Sequence, residues 1–255
     1  MLKIQTFGNK THITDLLIVH GLFGSGRNWR AIARNISSDR QVHVVDMRNH
    51  GESFWNADNS YESMAEDLKK IITSLKSPVD VLGHSMGGKA SMLLAINNPD
   101  LVNRLLIVDI APTKYQHDQS INISIMKNLP IDDLTRRSDA DLILKKTLSD
   151  DALRAFFLQS LIISPNGNSW QLNLDALDKN MDKIIGFPDI SGQFNGMTFF
   201  LKGELSNYIS DKDLPNINLL FPRNKIITIK NAGHWVHAEA TRDFLISVKK
   251  YLSVS

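Results

Sequence analysis

Up to about residue 112 the chain alternates between short, mainly aliphatic runs and amphipathic stretches. Leu16–Val19, Val42–Val45, 79–82 and 105–108 each have the length and β-branched content of a strand covered on both faces, as in a parallel sheet. Between them, 29–36, Tyr61–Leu75 and Met86–Asn97 carry helical patterns. In the last, Ala90, Leu93, Leu94 and Asn97 share one side, and Asn97, Asn98 and Pro99 stop the helix. Strand–helix–strand alternation predicts an α/β protein with a doubly wound, mostly parallel sheet.

From about 113 to 194 the pattern changes. Four amphipathic helices are predicted, over 121–129, 132–147, 150–162 and 174–185, with no strand run of the earlier kind. Strands resume at 197–202 and 225–230, and 238–252 predicts a closing helix. The expected organisation is a sheet core of residues 1–112 and 194–255, interrupted by a helical insertion at 113–193. An insertion at the carboxyl ends of the strands would sit where open α/β sheets bind ligands, so it is expected to be a lid.

Composition narrows the class of function. At 255 residues the chain suits one sizeable α/β domain with an insertion. A content of 42% hydrophobic and 22% charged residues excludes disordered and fibrous classes. The net charge of +2 is too small to argue for a nucleic acid or an anionic membrane as partner. The chain has no cysteine, which excludes disulfides, thiolate metal sites and a cysteine nucleophile. The first ten residues, MLKIQTFGNK, lack a signal-peptide pattern, and no apolar stretch approaches the roughly 18 residues of a membrane span. A cytoplasmic protein acting on a small molecule is the expectation.

Residues 83–88 read GHSMGG, directly after one strand run and directly before a helix. This is the Gly-x-Ser-x-Gly nucleophile elbow, a turn so tight that Gly83 and Gly87 must be nearly free of side chain and Ser85 is strained. Ser85 would stand at a helix N-terminus, where backbone N–H groups favour developing negative charge. Of the eight histidines, His234 follows the last strand run and precedes the last helix, and the order serine then histidine suits a base for Ser85. His237 and Glu239 lack the spacing of a helical zinc motif, so no metal is expected. The loop HGLFGS at 20–25 offers a backbone donor for an oxyanion, Leu22 first and Phe23 as alternative, with Met86 N–H as the second donor. The His20 side chain reads as a brace for that loop.

The acid that would orient His234 is open on the residues alone. The position three beyond Gly203, where an aspartate is usual, is Ser206, with Glu204, Asp211 and Asp213 displaced from that register. Asp109 is the other candidate, because a carboxylate directly after four buried aliphatics needs partners. Trp235, Phe23, Phe156 and Phe157 read equally as pocket wall or core, and Trp235 and Phe23 are carried as candidate substrate-binding residues. Asp46 and Arg48 read as a hydrogen-bonded turn.

Taken together, HGLFGS, DMRNHGES (46–53), GHSMGGKA (83–90), VDIAP (108–112) and NAGHWVHAE (231–239) resemble the YbfF-type bacterial esterases of the α/β-hydrolase superfamily. The resemblance spans nearly the whole chain and is weakest across roughly 115–195. It implies that the acid is the aspartate of the VDIAP segment, Asp109, and that a post-lid segment with Ser206 and Tyr208 lacks the usual acid. Lys202-Gly203-Glu204 departs from the family's Pro-Gly-Gly. The activity implied is a cofactor-free serine carboxylesterase acting on short-chain acyl esters and acyl-CoA thioesters. The same scaffold hosts cofactor-free perhydrolases, lyases and small-molecule receptors, which stay open as alternatives.

Overall fold

A computed structural model describes residues 1–116 and 119–253. The aliphatic runs form β2 (Leu16–Val19), β3 (Val42–Val45), β4 (Val79–His84) and β5 (Val102–Val108), every residue of β2, β3 and β4 being buried. They join β1 (Ile4–Phe7), β8 (Met197–Gly203) and β9 (Asn224–Ile229) in a seven-stranded sheet of order β1-β3-β2-β4-β5-β8-β9. All pairs are parallel except β1 with β3. β1 escaped sequence reading because its half-buried IQTF has no aliphatic run, as suits an edge strand.

Helices α1 (Arg30–Ile36), α2 (Tyr61–Leu75) and α3 (Met86–Asn97) follow β2, β3 and β4. In α2, Tyr61, Met64, Ala65, Leu68, Ile71 and Ile72 are buried at helical spacing, and Ser60 caps the N-terminus by accepting from Ser63 N–H. α3 differs from the expectation of one apolar side: Met86 to Ile96 are buried all round. Such a helix lies between sheet and neighbouring elements and cannot be amphipathic. The closing helix is two pieces, α10 (Val236–Glu239) and α11 (Thr241–Leu252), separated at Ala240, whose φ of −130° and ψ of 50° are not helical. A further helix, α9 (Leu214–Leu220), lies between β8 and β9.

Between β5 and β8 the chain forms α4 (Ser120–Lys127), α5 (Arg137–Leu144), α6 (Asp151–Leu158), α7 (Leu174–Lys179) and α8 (Met181–Ile185). The single helix expected over 132–147 shrinks to α5 after a short 3₁₀ turn, and that expected over 174–185 divides at Asn180. A small antiparallel pair, β6 (Leu161–Ile162) with β7 (Ser169–Trp170), is also present where no strand was expected. Two-residue strands are too short to leave a period in the sequence. This segment shares the core: Phe157, Leu161 and Leu177 are fully buried in one cluster with Leu17, Val81 and Leu105 of the sheet.

Polar ties also bind the segment down. Gly51 N–H donates to Gln171 O at 2.8 Å, and Tyr61 Oη donates to Ile184 O at 2.6 Å. Lys89, on α3, donates to the carbonyls of Thr113, Ile185 and Gly186 at 2.8, 2.9 and 2.5 Å. Burial pushes the Lys89 ammonium down to about 7, against which three acceptors, one for each proton, hold the charge. Among the described residues, no helix is long and apolar enough to cross a membrane.

Leu106 lies at the centre of the sheet with no exposed surface. Leu106→Ala should lower the unfolding free energy by about 3 kcal/mol through the cavity it leaves, measured by urea titration.

Candidate active site

β4 ends at His84, and Ser85 takes φ 51° and ψ −121° before α3 begins at Met86. A side chain at this φ costs on the order of 1–3 kcal/mol, tolerated because its surroundings leave no other path. A Cβ on Gly83 would lie 2.6 Å from Gly87 O, and one on Gly87 only 2.3 Å from His20 O. Both glycines are therefore steric requirements of the turn. Ser85 N–H donates to Val108 O at 3.1 Å, pinning the elbow to the end of β5.

His234 sits in the loop between β9 and α10. Its Nε2 is 3.1 Å from Ser85 Oγ and its Nδ1 is 2.8 Å from Asp109 Oδ2. Asp109 follows β5 with φ 50° and is fully buried. Its Oδ1 accepts from Gly203 N–H at 2.9 Å, and its Oδ2 also accepts from the Ser206 hydroxyl. The other carboxylates stand elsewhere. Glu204 accepts from Asn231 N–H at 3.0 Å, and Asp213 caps a 3₁₀ turn through Ser210. Asp211 lies in the first turn of the same 3₁₀ element. Ser85, His234 and Asp109, separated by 149 and 125 positions along the chain, thus form one hydrogen-bonded line.

The two candidate donors in the early loop are distinguished. Phe23, at φ 62°, donates its N–H to His50 Nε2 at 3.2 Å. Leu22 N–H has no such partner among the described residues and borders the same cavities as Ser85. Met86 is the first residue of α3, where N–H groups lack intrahelical acceptors. His20 braces the loop as expected: Nδ1 bonds Gly21 O at 2.8 Å, and Nε2 accepts from Met47 N–H at 2.9 Å. Asp46 accepts from Gly26 and Glu52 N–H groups, and Arg48 is held by Asp67 at 2.7 Å.

A cavity of about 320 Å³ opens over Ser85, with Phe23, Trp235, Phe156 and Phe157 in its wall. Phe23 and Phe157 also pack edge to face at 5.4 Å, so core and wall are the same side chains. Sequence reasoning missed several wall residues, two of which touch His234. The Tyr208 ring stacks on His234 at 3.9 Å, and His84 donates through Nε2 to His234 O at 3.0 Å. Neither has a local pattern that could reveal it. His237 stacks on Trp29 at 4.1 Å and lines this cavity. Glu239 accepts from the N–H groups of Gly233 and Trp235, holding the His234 turn. No cluster of metal-ligating side chains occurs among the described residues.

With this geometry in view, comparison with known proteins is direct. Residues 15–241 match the family model described as alpha/beta hydrolase fold. The chain belongs to the α/β-hydrolase family. The sn-1-specific diacylglycerol lipase ABHD11 of Mus musculus is 39% identical over 247 residues, covering 93% of this chain and 80% of the relative. Esterase YbfF of Escherichia coli strain K12 is 31% identical over 256 residues, covering 99% and 98%. A solved marine microorganism esterase superposes with a TM-score of 0.92 at 38% identity, covering 98% of both chains. The resemblance to the YbfF-type esterases therefore holds across the whole α/β-hydrolase chain.

Burial lowers the pKa of His20 to about 4, and those of His50 and His237 to about 3; His84 is depressed well below its ordinary 6.5. The unfolded chain therefore binds more protons than the fold from about pH 6.5 down to 3. Stability is fully present above 6.5 and falls with acidification, by about 1.4 kcal/mol per pH unit for each histidine. The expected outcome is a thermal midpoint that is flat above pH 7 and falls steeply below 6.5. A midpoint unchanged down to pH 4 would contradict the neutral histidines.

Proposed function

We propose that the protein is a serine carboxylic ester hydrolase working through an acyl-enzyme. The coarse class, esterase or lipase on the α/β-hydrolase scaffold, follows from its relatives. The single observation that carries the finer reading is the hydrogen-bonded line from Ser85 Oγ through His234 to Asp109. Ser85 Oγ attacks the ester carbonyl while His234 Nε2 takes its proton. The tetrahedral oxyanion is held by the N–H groups of Leu22 and Met86, each worth on the order of 100- to 1000-fold in rate. His234 then protonates the leaving oxygen or sulfur, the carbonyl reforms, and the alcohol or thiol departs. Water, deprotonated by His234, attacks the acyl-enzyme and returns Ser85.

Asp109 keeps the His234 proton on Nδ1 and stabilises the imidazolium formed at each step. Residues 113–193 act as a lid whose α6 brings Phe156 and Phe157 over the cleft, and Trp235 and Phe23 line the substrate's path. Small acyl esters are the substrate class, with acyl-CoA thioesters as a second leaving-group type. No cofactor enters any step.

Ser85→Ala should abolish hydrolysis of p-nitrophenyl acetate without loss of fold, read by absorbance and circular dichroism. Asp109→Asn should lower kcat by about four orders of magnitude, the scale for a triad left with the wrong tautomer, while Glu204→Gln stays near wild type. Loss in Glu204→Gln alone would move the acid. A single burst followed by a stable Ser85 adduct would favour a receptor over an enzyme.

A further inference from the structure

Ser85 borders two cavities of very different size. The large one, about 320 Å³, includes His234, Trp235 and the aromatic wall. The small one, about 40 Å³, lies on the other side among Met86, Ile110, Ile184, Ile185 and Tyr208. His234 lines the large cavity and not the small one, whereas the Tyr208 ring, stacked 3.9 Å from the imidazole, borders both.

The chemistry decides which part of the substrate goes where. Breakdown of the tetrahedral intermediate needs the leaving oxygen within hydrogen-bond reach of His234 Nε2. That atom is accessible from the large cavity. The remaining substituent on the carbonyl carbon, the acyl chain, is then directed to the side lined by Met86 and Ile185. We infer that the small cavity takes the acyl group and the large cavity the leaving group, so that the substrates are short-acyl esters of bulky, apolar alcohols. This rests on Ser85 being the nucleophile.

Size and stiffness support the assignment. A volume of about 40 Å³ holds about three water-sized groups, enough for the chain of an acetyl to butyryl group. Its walls cannot easily retreat. Ile185 O is bound by Lys89, Ile184 O by Tyr61 Oη, and Tyr208 O by Tyr115 Oη at 2.6 Å. Tyr115 Oη in turn accepts from Ala111 N–H. The large side has more room around it. Phe156 and Trp235, whose rings are 5.6 Å apart, also border a neighbouring groove of about 620 Å³ lined by Ala31, Ala152, Ala155 and Ala238 together with Arg27, Gln159 and Glu239.

Two substrate series on the full chain test this. In one, the acyl group of p-nitrophenyl esters grows from acetyl to decanoyl; in the other, acetates of ethanol to dodecanol are followed by acid release. The expected result is a fall in kcat/KM of tenfold or more between butyrate and octanoate, since one surplus methylene in a tight pocket costs about 10- to 200-fold. Acetates should hold or gain kcat/KM as the alcohol lengthens. Ile185→Ala should raise the octanoate-to-acetate ratio about tenfold, with folding checked by thermal midpoint. Octanoate turned over as well as butyrate, acetates losing rate with longer alcohols, or an unchanged ratio in Ile185→Ala would each overturn the inference. Ser85 labelled by a fluorophosphonate probe in such a case leaves the nucleophile standing, whereas no labelling and no turnover of any ester overturns both.

Discussion

The Asp109 carboxylate is the constraint on which the site depends. It is fully buried at the end of strand β5, in a left-handed backbone conformation that a non-glycine residue rarely adopts. An isolated buried carboxylate would be prohibitively costly. Here one oxygen accepts from the β8 backbone at Gly203, and the other from Ser206 and His234. Three donors from two chain segments, 203–206 and the His234 loop, converge on two oxygens. Removing any of them leaves the charge under-satisfied, so the fold and the alignment of His234 on Ser85 stand or fall together.

Around that line the protein spends its other histidines on architecture. His20 and His50 are neutral rings that hold the HGLFGS loop through Met47 and Phe23 N–H groups. By taking up the Phe23 amide, His50 removes that N–H from the loop's candidate donors, in line with the proposed role of Leu22. His84 fixes the backbone of His234 itself. Neutrality matters here, because a protonated His50 Nε2 could not accept from Phe23.

The segment over the cleft is fastened and not merely laid on the sheet. Lys89 donates a hydrogen bond to each of three carbonyls, one at Thr113 where the segment leaves the core and two near its return, Ile185 and Gly186. It does so from the fourth residue after Ser85, on the same helix. The side that Lys89 fastens is narrow, about 40 Å³, whereas the side lined by Phe156 and Phe157 of α6 holds about 320 Å³. The asymmetry of the cleft is thus built into the helix that carries the proposed nucleophile.

Much of this protein was legible in the order of its residues. Aliphatic runs flanked by turn formers predict the central strands, because a strand buried on both faces must be apolar throughout. Gly83 and Gly87 around Ser85 announce the elbow, since that turn excludes a Cβ at both places. Edge strand β1, the β6–β7 pair and the break at Ala240 left no comparable local signature. Among Asp109, Glu204, Asp211 and Asp213, spacing could not choose; the need of a buried carboxylate for partners favoured the first, and the resemblance supported it. The tertiary structure brings Asp109 within 2.8 Å of His234 and commits Glu204 to Asn231. It also decides that Tyr208 covers His234 and that His237 turns inward. The physical reason is common to these cases. A local motif is dictated by backbone sterics within a few residues, whereas a partner 125 positions away is chosen by how strands register and loops close.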